Sequence, residues 1–94
     1  MAFLVIAHDG SDPESRARRQ AVRQAHLTAI APAVEAGTLE LGGAILDDDG
    51  NMIGSALILN VETRADAEAF LQNDIYSTAG VWQHFSIYPF RRAV

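Results

Sequence analysis

Residues 38–62 constrain the topology more than any other part of the chain. "TLELGGAILD" (38–47) and "MIGSALILNVE" (52–62) are apolar runs of strand length, and the "DDGN" between them carries an Asp-Gly turn signal. Two such runs so close together predict an antiparallel hairpin. The hairpin is flanked on each side by a helix, with a strand beyond it. "AFLVIAH" (2–8) reads as the first strand. Asp12 is the expected N-cap of a helix over 13–36, with Pro13 at its first position and Glu14 facing the helix dipole. Gly37 stops it, and Pro32 is expected to kink it or split it near Ala31. Thr63 caps a second helix, "RADAEAFLQN", ending near Asn73. "DIYSTAG" (74–80) is a short turn or a single helical turn, "VWQHFSIYPF" (81–90) is the last strand, and "RRAV" is a tail.

The resulting order, β-α-β-β-α-β, predicts an α+β, ferredoxin-like fold: a four-stranded antiparallel sheet with both helices on one face. At 94 residues the chain is expected to be one domain, 1–94. Strand alternation then raises a difficulty. Leu4 and Ile6 lie on one face of strand one, Phe3 and Val5 on the other. Strand three offers Ile53, Leu57, Leu59 and Val61 against Met52, Ala56 and Ile58. Strand four offers Val81, Phe85 and Ile87 against Trp82, Tyr88 and Phe90. Both faces are apolar, yet two helices cover only one. A solvated second face would alternate apolar with polar residues. An apolar face of that size predicts a homodimer with two sheets face to face, an α+β barrel shared by two chains. The alternative is a monomer with a partly exposed aromatic face.

Composition narrows the function. The chain has no cysteine, which removes disulfides, thiol nucleophiles and Cys-based metal sites and fits a cytoplasmic location. A net charge of −5 argues against nucleic acid as a partner. All cations are Arg, so Schiff-base lysine chemistry is excluded. No apolar run approaches the roughly 20 residues of a membrane span, so no membrane partner is expected. "MAFLVIAHDG" lacks the basic start and cleavage site of a signal peptide.

The long helix carries a second anomaly, in "AVRQAHLTAI" (21–30). At about 100° per residue, with Leu27 at the origin, Ile30 and Val34 share its face, and so do Arg23 and Arg16. Arg19 and His26 fall about 80–100° away, on the edge of that stripe. The stripe is apolar in its C-terminal half and basic in its N-terminal half. Two readings are open. In one, the N-terminal half is solvated and its Arg residues pair with Asp9, Asp12 or Glu14. In the other, it lines a cleft where Arg23 meets an anion and His26 moves a proton.

Other features carry less. "DDDGN" lacks the ligand spacing of an EF-hand: Met52 stands at the sixth position from Asp47, and no Glu stands at the twelfth. His8, His26 and His84 have no metal-ligand spacing, so no metal site is expected. Ser55 sits in a strand without a nucleophile elbow. The glycines form no phosphate-binding fingerprint, and no cofactor is implied.

Taken together, these pieces resemble the YciI-like (YCII-related) domain family over nearly the whole chain. The resemblance is carried by the opening strand and by Arg23, His26 and Leu27 in an "R..HL" pattern. It continues through the paired Gly42 and Gly43, the "GS" of Gly54 and Ser55, and Asp74, Tyr76, Ala79 and Gly80 matching "DPY…AG". It ends at Pro89 and Phe90. One position departs: the family's proline after the aspartate is Ile75 here, which puts the geometry of the Asp74 loop in question.

The resemblance implies a dimeric α+β barrel and a catalytic pair, His26 and Asp74. Asp74 would fix the imidazole tautomer, and His26 would transfer a proton on a small cyclic or aromatic compound. Arg23 would steady a developing oxyanion. Tyr76, Ser55 and the backbone near Gly43 would shape the binding pocket. Lyase, isomerase and dehalogenase-like chemistry all use these parts. The alternative is a non-catalytic ligand-binding or accessory dimerisation module.

Overall fold

A computed structural model describes residues 1–94. The elements are β1 (Ala2–Asp9), α1 (Ser15–Ala36), β2 (Leu39–Leu46), β3 (Met52–Leu59), α2 (Arg64–Gln72), the single turn α3 (Ile75–Thr78) and β4 (Trp82–Phe90). All strand pairs are antiparallel, in the order β2-β3-β1-β4. This is the βαββαβ arrangement expected from the hairpin and its flanks. The hairpin turn is held by Asp47, whose carboxylate accepts the N–H groups of Asp49 and Asn51. Gly50 supplies the positive φ of 85° that the turn needs.

The core lies between the sheet and the helices. Phe3, Val5 and Ala7 of β1 meet Leu59, Leu57 and Ser55 of β3, all buried on the helix side. Leu4, Ile6, Ala56 and Ile58 point to the opposite face. No helix covers them. On the same face Leu41 is 61% exposed, and Tyr88 is exposed as well.

Three local expectations are corrected. Asp12 does not cap α1: its carboxylate pairs with Arg18, and the helix begins after a turn over residues 12–15. Pro32 does not split α1, which runs unbroken to Ala36. Pro32 and Thr28, whose carbonyl would have taken the missing N–H, are both exposed, on the side of the helix where an unpaired carbonyl costs least. Trp82 is not on the open face. The register of β1 with β4 shifts between His8 and Asp9, leaving Gln83 as an extra residue on β4. That bulge reverses the alternation and turns Trp82 in beneath the helices.

Candidate active site

The α1 helix faces the core along a different line from the one its apolar residues suggest. Leu27, the expected centre of packing, is 38% exposed, and Val34 is exposed too. The buried residues are Ser15, Arg19 and His26, with Val22, Ile30 and Ala33 packed against the core. These share an arc about 100° from Leu27. His26 therefore lies at the centre of the buried arc, not at its edge. Arg19 and His26 occupy apolar positions because each finds a carboxylate partner there, which removes most of the cost of burial.

His26 Nδ1 lies 2.7 Å from Asp74 Oδ1. Asp74 is the N-cap of α3, and the same oxygen accepts the Tyr76 N–H at 2.8 Å. The Asp74 backbone N–H bonds the Leu71 carbonyl, which also accepts from the Ser77 hydroxyl. The loop is thus fixed by hydrogen bonds without the proline that Ile75 replaces. An ionised carboxylate only accepts, so Nδ1 carries a proton, and in the neutral ring Nε2 presents its lone pair. Nε2 has no protein partner. The other carboxylate oxygen, Asp74 Oδ2, is buried without a partner.

The imidazole stacks on the Tyr76 ring at 3.7 Å with an interplanar angle of 8°, and Trp82 stands edge-on to both rings. Two turns before His26 on α1, Arg19 lies 4.7 Å from the Tyr76 ring centre. Its Nη1 contacts both carboxylate oxygens of Asp9 at 3.0 and 2.8 Å, and its Nη2 donates to Ser55 Oγ at 3.0 Å. Trp82 Nε1 donates to the same Ser55 oxygen at 3.1 Å. Burial pushes the Tyr76 hydroxyl above its ordinary pKa, so it stays protonated at neutral pH.

These groups wall a cavity of about 400 Å³ between α1 and the β2–β3 side of the sheet. His26, Tyr76, Ser55, Arg23 and Gly43 all line it; Asp74 stands behind His26. The pairing of Arg18 with Asp12 and Arg19 with Asp9 matches the solvated-helix reading only for Arg18, because the Arg19–Asp9 pair is buried. Arg23 pairs with nothing and lines the cavity as a free guanidinium. The register turns Gly42, opposite Leu57, toward the helices, whereas Gly43, opposite Ala56, points to the open face and borders the cavity through its backbone. Arg19, Asp9, Trp82 and Gly42 are additions to the predicted set. A clue to Arg19 was present in its seven-residue spacing from His26, which puts both side chains on one line of the helix. No three His, Asp or Glu side chains gather where they could hold a metal ion.

Comparison with known proteins identifies the family and the fold. Protein YciI of Escherichia coli O6:H1 and protein YciI of Shigella flexneri are each 32% identical to the chain, over 98% of it and 98% of their own length. Among solved structures, 5-chloro-2-hydroxyhydroquinone dehydrochlorinase from Burkholderia phenoliruptrix, in complex with 2,5-dihydroxybenzoquinone, superposes with a TM-score of 0.82. It is 28% identical, and the match covers 99% of this chain and 96% of that one. A hypothetical protein from Pyrococcus horikoshii, 11% identical with a TM-score of 0.51 over 97% of this chain and 93% of its own, shares the fold alone. The family model of the YCII-related domain matches residues 1–91, and the chain belongs to that family.

Proposed function

We propose that this protein is an acid–base enzyme that acts on a small cyclic or aromatic compound. The observation that carries the reading is the 2.7 Å contact of His26 Nδ1 with Asp74, which leaves Nε2 unpartnered at a cavity of about 400 Å³. In this reading Nε2 removes a proton from the bound compound, and Asp74 holds the ring against Tyr76 while the imidazolium exists. Arg23 balances the negative charge left on a substrate oxygen. Release of a leaving group makes the reaction an elimination; return of the proton to another atom makes it an isomerisation. The solved neighbour is named for loss of hydrogen chloride from a chlorinated hydroquinone, which supports the elimination form.

The test uses 5-chloro-2-hydroxyhydroquinone as probe and follows chloride release. His26→Ala and Asp74→Asn are expected to lower kcat by about 100-fold or more, with folded far-UV spectra retained. Full turnover by His26→Ala would refute the assignment. Binding of 2,5-dihydroxybenzoquinone without turnover of any chlorinated hydroquinone by the wild type would favour the non-catalytic module instead.

The reading includes a homodimer formed through the open sheet face. Its support is the uncovered apolar surface that contains Leu4, Ile6, Ile58 and Leu41. Sedimentation at micromolar concentration should give twice the 10.2 kDa chain mass, and Leu41→Glu should halve it.

A further inference from the structure

Ser55 is a buried residue of β3 whose side chain faces the helices. Its oxygen receives two N–H donors, Arg19 Nη2 at 3.0 Å and Trp82 Nε1 at 3.1 Å. A hydroxyl group has two lone pairs and one proton, and neither a guanidinium nor an indole N–H can act as an acceptor. Both lone pairs are therefore occupied by groups that cannot exchange roles with the hydroxyl. One tetrahedral direction remains, and the proton must take it. No acceptor of the chain receives that proton, and Ser55 lines the cavity. The charge on Arg19 is held in turn by Asp9, so the arrangement behind Ser55 is fixed from three sides.

We infer that Ser55 is a hydrogen-bond donor of fixed direction. It selects compounds that place an acceptor-only oxygen, a carbonyl or a deprotonated hydroxyl, against it. Arg19 and Trp82 are the positioning residues that set this polarity. A protonated hydroxyl whose proton points at Ser55 meets a donor and is disfavoured. The inference rests on the reading that the cavity takes a small cyclic compound, and it narrows that compound to one bearing a quinoid or enolate oxygen at this wall.

The experiment measures calorimetric affinities for two probes of similar size: 2,5-dihydroxybenzoquinone, rich in acceptor oxygens, and 1,4-hydroquinone, whose oxygens both carry protons. The wild type is expected to favour the quinone. Ser55→Ala should cut the ratio of the two affinities by about tenfold, the worth of one well-made hydrogen bond. Ser55→Thr, which keeps the hydroxyl, should preserve the ratio. Trp82→Phe frees one lone pair, lets the proton turn away, and should lower the ratio with Ser55 intact; it stands as the independent variant if Ser55→Ala fails to fold. An unchanged ratio in Ser55→Ala or in Trp82→Phe would overturn the proposal. The two readings fail separately: turnover surviving His26→Ala removes the acid–base role, whereas an unchanged affinity ratio in Ser55→Ala, measured without turnover, removes only the role of Ser55.

Discussion

The buried pair of Arg19 and Asp9 permits a test in which the two halves of one interaction behave differently. Their side chains are only 5% and 3% exposed, and the contact distance is 2.8 Å. In Asp9→Asn the guanidinium keeps its charge and loses its counter-ion, and arginine cannot shed its proton to escape. Leaving a buried charge unpaired costs about 3–5 kcal/mol, a large share of the roughly 5–15 kcal/mol that holds such a domain together. In Arg19→Met the residual charge is a carboxylate, which does have an escape: it takes up a proton. At pH 7 that costs about 1.4 kcal/mol for each unit above the ordinary carboxylate value of roughly 3.9, or about 4 kcal/mol in all.

The folded Arg19→Met protein then binds more protons than its unfolded chain, so its stability should rise as the pH falls from 7 toward 4. The Asp9→Asn protein gains nothing over that range. Urea unfolding followed by far-UV circular dichroism, at one fixed protein concentration, measures both variants. Replacing the pair together, Asp9→Leu with Arg19→Met, should recover most of the loss. A cost below about 1 kcal/mol for Asp9→Asn, or equal pH slopes for the two single variants, would refute the claim that water is excluded from the pair.

Two further outcomes are open to measurement. Gly42→Val should leave the melting temperature nearly unchanged, because an added Cβ meets only Leu39 at 3.7 Å, yet it should abolish quinone binding by filling the cavity; unchanged affinity would mean that ligand does not reach β2. The Arg18 guanidinium holds the Asp12 carboxyl at about 2 instead of 3.8, so this exposed pair stabilises the fold above 3.8 and is lost as the pH falls toward 2. The acid limb of a Tm-against-pH curve should be shallower in Asp12→Asn over that window, and identical limbs would dismiss the pair.

The topology was legible because its determinants are local. A turn dipeptide between two apolar runs, a Thr63 cap whose oxygen does accept the Asp66 N–H, and strand-length alternation are all written within a few residues. The Asp74–His26 pairing spans 48 positions and could be reached only through the family resemblance. The orientation of α1 was misread because hydropathy assigns the core to leucine and valine, while here the core side holds Arg19 and His26. Their suitability for burial depends on Asp9, which the sequence offers only as one of several possible partners, and on Asp74, which is remote in sequence. Trp82 was misplaced for a different reason. One extra residue, Gln83, reverses the parity of the strand end, and nothing in "VWQHF" distinguishes a bulged strand from a regular one.

The same bulge has an optical consequence. It turns the only tryptophan of the chain into the wall of the cavity, hydrogen-bonded to Ser55 and edge-on to His26, Tyr76 and Phe85. Its emission originates at this one place, with no second indole to dilute it. In the proposed reading a quinone that enters the cavity meets this ring as an electron acceptor, and its arrival should quench the protein's entire tryptophan fluorescence. The fold thus carries its own reporter of occupancy, readable without a label.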